Sequence, residues 1–306
     1  MPWIKKGLIL KPEGQRDWIT TRAMLPTAVH LKDDLYKIYF SGGDDNNQSR
    51  IGYIIIDIKN PKEILELVDK PILDMGDPGC FDDSGVSPTC IVNHDDKIYL
   101  YYMGWNHGSQ VRVSEISGLA ISYDGGKTFI KQSKVPVIDR TPQEPYLILV
   151  ISHIAITENG VWRMWYDSTD KWITPDLPKY NIKYAESLDG INWKRNGVIS
   201  VDYLHENESR ISRASILYED GLQKMWYCYA IGKGGYKMGY AEGIYQEDGL
   251  GFNRMDDKVG ISLSDSGWDS EMICYPNVFK HKGKKYMLYC GNGYGRGGFG
   301  YAVWED

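Results

Sequence analysis

Cysteine is scarce in this chain, and the five present, Cys80, Cys90, Cys228, Cys274 and Cys290, form an odd set without metal-type spacing. That count argues against a structural zinc and against a secreted disulfide framework; buried free thiols in strands are the expectation. No apolar run approaches the roughly 20 residues of a membrane span, and the N-terminus lacks the apolar core of a signal peptide. A cytoplasmic protein with no membrane partner is therefore expected. Positive charge is in deficit, 35 Lys and Arg against 41 Asp and Glu, for a net charge of -6, which argues against nucleic acid as a partner. A nucleotide loop is missing as well. The segment GNGYGRGGFG from Gly291 leads into a strand rather than a helix, so no helix N-terminus stands ready to hold phosphate.

Aromatic side chains, by contrast, are plentiful: 23 Tyr and 10 Trp, in a pattern that repeats. A phrase of about sixty residues recurs along the chain, and a period that long, made of strands and turns, marks a propeller or solenoid. The copies open on LPTAVHLKDDLYKIYFSGG from Leu25, SPTCIVNHDDKIYLYYMGW from Ser87, HIAITENGVWRMWYDS from His153, ASILYEDGLQKMWYCYA from Ala214 and YPNVFKHKGKKYMLYCGNG from Tyr275. Each continues into a third strand, such as IKYAESLDGINW from Ile182, and Asp-Gly turns lead toward a fourth. Four antiparallel strands make one propeller blade. The last copy stops after its third strand, at Asp306, while Trp3 to Ile9 imitates Trp193 to Ile199, the fourth strand of the third copy. The N-terminal strand is thus expected to complete the last blade and leave no open sheet edge. The fold expected is all-β: a single five-bladed propeller domain spanning residues 1–306.

Chemistry in such a ring belongs where the chain enters the five innermost strands. Those segments carry Asp17, Arg22, Asp82, Asp83, Glu208, Arg210, Arg213, Asp269, Glu271 and Tyr275. Charges converging on an axis are costly to bury unless they are paired or used. The competing expectation is that they are rim charges or salt bridges between blades. His153 stands where other copies have a small residue or Pro, and is either a core histidine or a hydrogen-bonding group for substrate. Trp105, Trp172 and Tyr236, in loops facing the same end, offer stacking faces for a sugar ring. Arg22, Arg210, Arg213 and Arg296 present guanidinium forks suited to carboxylate or phosphate, or else pair with neighbouring acids.

SRAS (Ser212 to Ser215), GWDSEMICYP (Gly267 to Pro276), GNGYGRGGFGYA (Gly291 to Ala302) and Ala-Glu-Ser-x-Asp-Gly-x-x-Trp (Ala185 to Trp193) resemble bacterial five-bladed glycoside hydrolase-like proteins. These are similar to the superfamily of arabinanases and xylosidases, invertases and levansucrases, and mannoside phosphorylases. The resemblance covers nearly the whole chain and implies a carbohydrate-active enzyme, with a glycosidase as the first expectation. Glycosidic cleavage uses one carboxyl to protonate the departing oxygen and another to activate water or attack the anomeric carbon. Asp83 and Asp17 are the nearest matches to the family's acids in the second and first blades, although Asp17 equally fits a solvated loop.

The third blade departs from the family pattern. LILVISHIA offers only Ser152 and His153, with Glu144 farther upstream, so Glu271 or Glu208 must supply the acid, and Glu271 is preferred. An aromatic wall could raise its pKa enough for that role. The expected catalytic set is therefore Asp83, Glu271 and Asp17. Substrate contacts are expected from Arg22, Asp82, Trp105, His153, Glu208, Arg210, Arg213, Asp269, Tyr275 and Arg296. The arginines suit an acidic sugar or, in a phosphorylase, inorganic phosphate. A glycoside phosphorylase or glycosyl transferase, or a non-catalytic glycan-binding propeller, are the alternatives. Nothing in the pattern requires a cofactor or metal, although related propellers commonly hold a cation such as Ca²⁺.

Overall fold

In the computed structural model, residues 2–244 and 251–305 are described; the chain end at Asp306 lies outside them. The structure is all-β, and its strands fall into repeating antiparallel groups. The first group is β2 (Arg22–Lys32), β3 (Leu35–Gly43), β4 (Ser49–Asp57) and β5 (Ile64–Leu67). The second is β6 (Gly85–His94), β7 (Lys97–His107), β8 (Val113–Ser122) and β9 (Ile130–Lys131); the third is β10 (Leu149–Ile156), β11 (Trp162–Thr174), β12 (Leu177–Ser187) and β13 (Lys194–Val201). The fourth is β14 (Glu208–Glu219), β15 (Leu222–Ile231), β16 (Lys237–Ile244) and β17 (Asn253–Arg254). In the last sheet, β18 (Cys274–His281), β19 (Lys284–Cys290) and β20 (Phe299–Trp304) are joined by β1 (Trp3–Leu10), in the order β1-β20-β19-β18. Trp3 faces Trp304 and Leu10 faces Phe299 across that seam.

Local chemistry explains the hairpins. Asp95 and Asp96 both hold left-handed backbone, at φ 49° and 58°, between β6 and β7, and Asp220–Gly221 and Lys282–Gly283 do the same in the fourth and fifth groups. Two consecutive positive φ values give the turn whose twist matches that of the flanking strands, and Asp and Gly tolerate them best. Within each strand, side chains alternate between faces, so aromatic and β-branched residues cover both faces and pack against the next group. Trp162 meets Tyr99 at 5.2 Å between centroids, and Trp226 meets Trp3 at 5.8 Å. Each of these tryptophans is buried, and truncating one to Ala would cost about 3–5 kcal/mol.

The first strands of the groups lie side by side: β2 packs on β6, β6 on β10, β10 on β14, β14 on β18, and β18 back on β2. Groups also touch through single parallel pairings, Ser49 with Gly85, Ile116 with Leu149 and Tyr180 with Arg210. These pairings lie at the end of the groups where the candidate site is found. All five cysteines are free, and all but Cys80 are buried. Among the described residues no helix is long and apolar enough to cross a membrane.

Candidate functional site

Every first strand is interrupted by a register shift at the same height: Met24/Thr27, Pro88/Cys90, Ile151/His153, Ser212/Ser215 and Cys274/Asn277. A bulge bends its strand and re-aims one side chain, and bulges gather beside functional sites. In three of them a residue with a side chain takes left-handed backbone: Leu25 at φ 56°, Arg213 at 62° and Tyr275 at 57°. Such conformations are strained for L-residues and persist where the surroundings enforce them. All three side chains border a cavity of about 540 Å³ at the convergence of the first strands.

The cavity wall combines two carboxyls with many donors. Arg22, Arg112, Arg210, Arg213 and Arg296 surround it, with Tyr180, Tyr236, Tyr275, Tyr294 and Trp105, while Asp167 and Glu115 are its acids. Asp167, on β11, is 4% exposed. Its Oδ1 accepts from Ser152 Oγ at 2.8 Å and from the Arg213 backbone N–H at 3.2 Å, and its Oδ2 accepts from Ser212 Oγ at 2.5 Å. Burial pushes its carboxyl up to about 6, against the pull of those hydrogen bonds and of the Arg213 charge. Glu115, on β8 opposite Trp105, is also pushed up by burial, with Arg112 opposing. Arg213 itself is buried; its Nη2 donates to Thr27 Oγ1 at 2.9 Å and its Nη1 to the Pro88 carbonyl at 3.4 Å. One guanidinium from the fourth group thereby ties down the first and second.

Six of the sequence-derived site residues line this cavity: Arg22, Trp105, Arg210, Arg213, Tyr275 and Arg296. The acids placed there from sequence do not. Asp17 and Glu271 are exposed outside the wall. Asp83 folds back on its own loop, accepting from the Gly79 N–H at 2.9 Å and from Ser84 Oγ at 3.0 Å.

Asp82, Glu208 and Asp269 are buried, but in clamps that hold each group together. Asp82 accepts from Tyr102 OH at 3.0 Å and pairs with Lys131 at 2.7 Å. Asp269 accepts from Tyr289 OH at 2.9 Å and pairs with Lys5 at 2.8 Å. Glu144 accepts from Tyr166 OH at 2.9 Å and pairs with Arg195 at 3.2 Å. Glu208 pairs with Arg254 at 2.7 Å, beneath which lies the Tyr227 ring. Each clamp takes an acid from before the first strand or, for Glu208, from its first residue, a tyrosine from the second strand and a cation from the outermost. In the first group Ile19 stands where the acid would be, and Trp18 stacks on Phe40 at 5.6 Å as Phe81 does on Tyr102 and Trp268 on Tyr289.

His153 packs on Trp165 at 5.8 Å outside the cavity wall, and burial, with the Arg213 charge, lowers its pKa to about 4. Of the stacking candidates, Tyr236 lines the cavity, while Trp172 packs behind the wall against the Ile148, Val150 and Tyr180 cluster. Among the described residues no group of His, Cys, Asp or Glu is arranged to hold a metal ion. Asp167 was not anticipated, yet the repeat carries a signal for it. It follows the invariant second-strand aromatic, where the other copies have Ser41, Met103, Cys228 and Cys290.

No family model matches the chain. It is 38% identical over 308 residues to the uncharacterized protein Rv1502 of Mycobacterium tuberculosis, covering 100% of both chains. A 110-residue stretch, 33% of this chain and 35% of the other, is 29% identical to a 1,2-beta-oligomannan phosphorylase of Thermoanaerobacter sp.. Among solved structures, a glycoside hydrolase superimposes with a TM-score of 0.73 at 17% identity, covering 98% of this chain and 90% of that one. The alpha-L-arabinofuranosidase of Lactobacillus brevis gives 0.71 at 12% identity, covering 94% and 92%. The GH32 beta-fructofuranosidase of Bombyx mori, in complex with sucrose, gives 0.67 at 15% identity, covering 99% and 61%. With its fold shared by glycoside hydrolases of propeller type, the chain belongs to the family of the mycobacterial protein Rv1502.

Proposed function

We propose that the protein is a carbohydrate-active enzyme that breaks a glycosidic bond in the axial cavity, with Asp167 as the proton-donating carboxyl. Beneath this lies a reading of the fold: residues 1–306 form one domain, the five groups are blades of a closed propeller, and β1 completes the fifth. The cyclic packing of the first strands and the pairing of β1 with β20 support it.

The observation that carries the function is Asp167, a buried acid in the cavity wall with its carboxyl pushed up to about 6. Such a group retains a proton near neutrality and can pass it to a departing glycosidic oxygen. Ser152 and Ser212 donate to the carboxylate when it is charged, and either hydroxyl can turn to accept from it when it is protonated. Hydrolysis needs a second carboxylate to activate water or to attack the anomeric carbon, and Glu115 takes that part. Phosphorolysis is the second reading. There phosphate is the nucleophile, no second carboxylate is needed, and the arginines of the wall and the stretch similar to an oligomannan phosphorylase favour it.

A screen of aryl glycosides and oligosaccharides, with and without phosphate, tests this with Asp167→Asn and Glu115→Gln. Turnover is expected to disappear in Asp167→Asn, and its survival in that variant would refute the assignment. Activity that requires phosphate and survives Glu115→Gln selects phosphorolysis. Glycan binding without turnover in the wild-type protein would replace the enzyme by a glycan-recognition propeller.

A further inference from the structure

The cavity has the opposite charge balance from the molecule that contains it. The chain carries a net charge of -6, yet five arginines face Asp167 and Glu115 across the cavity. Among the described residues, Arg22, Arg210 and Arg296 form no ion pair with a carboxylate. Asp44, whose charge acts on Arg22, is paired with Arg50 at 2.8 Å. The Nε donors of Arg22 and Arg210 are buried with no hydrogen-bond partner. Burial, and then the charge of Arg296, lower the pKa of Arg22.

These donors are braced. Arg210 Nη2 donates to the Gly234 carbonyl at 2.6 Å and Nη1 to Tyr294 OH at 2.9 Å, with the guanidinium 4.9 Å above the Tyr236 ring. Arg22 donates to Asn47 Oδ1. Arg296 follows Gly293 and Tyr294, both in left-handed backbone at φ 64° and 59°, which turns the Gly-rich loop back over the cavity. Tyr275 and Tyr236, 6.0 Å apart, provide the aromatic part of the same wall. A buried, unpaired donor costs free energy until a ligand satisfies it, and a guanidinium fork satisfies an oxyanion through two parallel bonds.

We infer that the cavity takes a sugar that itself carries an oxyanion, a phosphate ester or a carboxylate, gripped by Arg22, Arg296 and Arg210 with its ring against Tyr236 and Tyr275. Free phosphate alone fits the wall less well: about 540 Å³ far exceeds one small ion, and the tyrosines beside the arginines offer a face only a larger ligand can use. The inference rests on reading this cavity as the carbohydrate site and specifies the substrate class.

Titration calorimetry on the full chain tests it, using hexose 1-phosphates, hexose 6-phosphates and hexuronic acids, each against its neutral parent, and inorganic phosphate alone. At least one sugar anion is expected to bind ten times tighter than its parent and than inorganic phosphate. That preference should fall with rising salt and vanish in Arg22→Met/Arg296→Met, while thermal melting confirms that the variant is folded. Comparing the phosphate and uronate arms identifies the anion. If that variant does not fold, the wild-type preference and its salt dependence still decide the matter. Equal binding of anion and parent, tightest binding by inorganic phosphate alone, or no binding by any probe would overturn the inference. Asp167-dependent turnover of neutral glycans with no gain from the anion would sink it while leaving the proposed function intact. Tight binding of a sugar anion that is never turned over would do the reverse.

Discussion

Two sets of buried acids lie a short distance apart in this molecule, and they behave oppositely. Asp82, Glu144, Glu208 and Asp269, at the entrances to the first strands, each meet a cation within 3.2 Å. Among the described residues Asp167, on the second strand of its group, meets two hydroxyls and a backbone N–H and no cation by direct contact. The first set is matched by cations; Asp167 is not, and burial raises its affinity for a proton. A buried carboxylate with a partner holds structure together, whereas one whose proton affinity is raised by burial is equipped to exchange a proton.

The sharpest way to break this contrast is Asp167→Asn. Turnover is expected to fall about 10²- to 10⁴-fold, the range for loss of a general acid. Because the folded protein binds the Asp167 proton more tightly than the unfolded chain, charging this group between about pH 4 and 6 weakens the fold. The Asn variant should therefore melt no lower than wild type at pH 7, and a clear drop would place Asp167 among the structural acids. Next comes Asp82→Ala, which leaves Lys131 and Tyr102 OH without their acceptor. It should cost about 3 kcal/mol in urea unfolding while sparing turnover per folded molecule. Lost turnover at unchanged stability would erase the distinction.

A smaller effect is expected from acid. His153, with its pKa lowered to about 4, stays neutral in the fold while the unfolded chain protonates near pH 6.5. Its contribution is complete above that value and declines as pH falls toward 4. In His153→Gln the acid side of the stability profile should flatten, and an unchanged profile would assign that slope to other groups. Least of all is expected from Asp83→Asn and Glu271→Gln, within about 0.5 kcal/mol of wild type and with turnover intact. Either one abolishing activity would restore the assignment made from sequence.

The fold was far more legible than the site because the repeat advertises strands and turns, not side-chain destinations. Asp-Asp and Asp-Gly turns, second-strand aromatics and the likeness of Trp3–Ile9 to Trp193–Ile199 all have local causes and can be read from one copy. Where an acid points depends on its neighbours in three dimensions. Asp82 and Asp83 are adjacent in sequence, yet one enters a clamp and the other closes a loop. The clamps could have been anticipated by aligning Phe81-Asp82 with Trp268-Asp269, since an aromatic followed by an acid at matching places in two copies suggests a shared structural duty. Asp167 needed the opposite search, for the position where one copy departs from the others.

The seam between β1 and β20 bears on how the molecule is made. Trp3 and Trp304 pack edge to face at 5.2 Å, and Trp3 also touches Trp226. β1 is made long before β20 and thus has no strand partner until β20 has been synthesised. At about 5–20 residues per second, that leaves an amphipathic segment waiting for many seconds. Non-local pairing of this kind is slow to form. In any truncation that removes β20, the N-terminal segment becomes an unpaired edge available to a second chain.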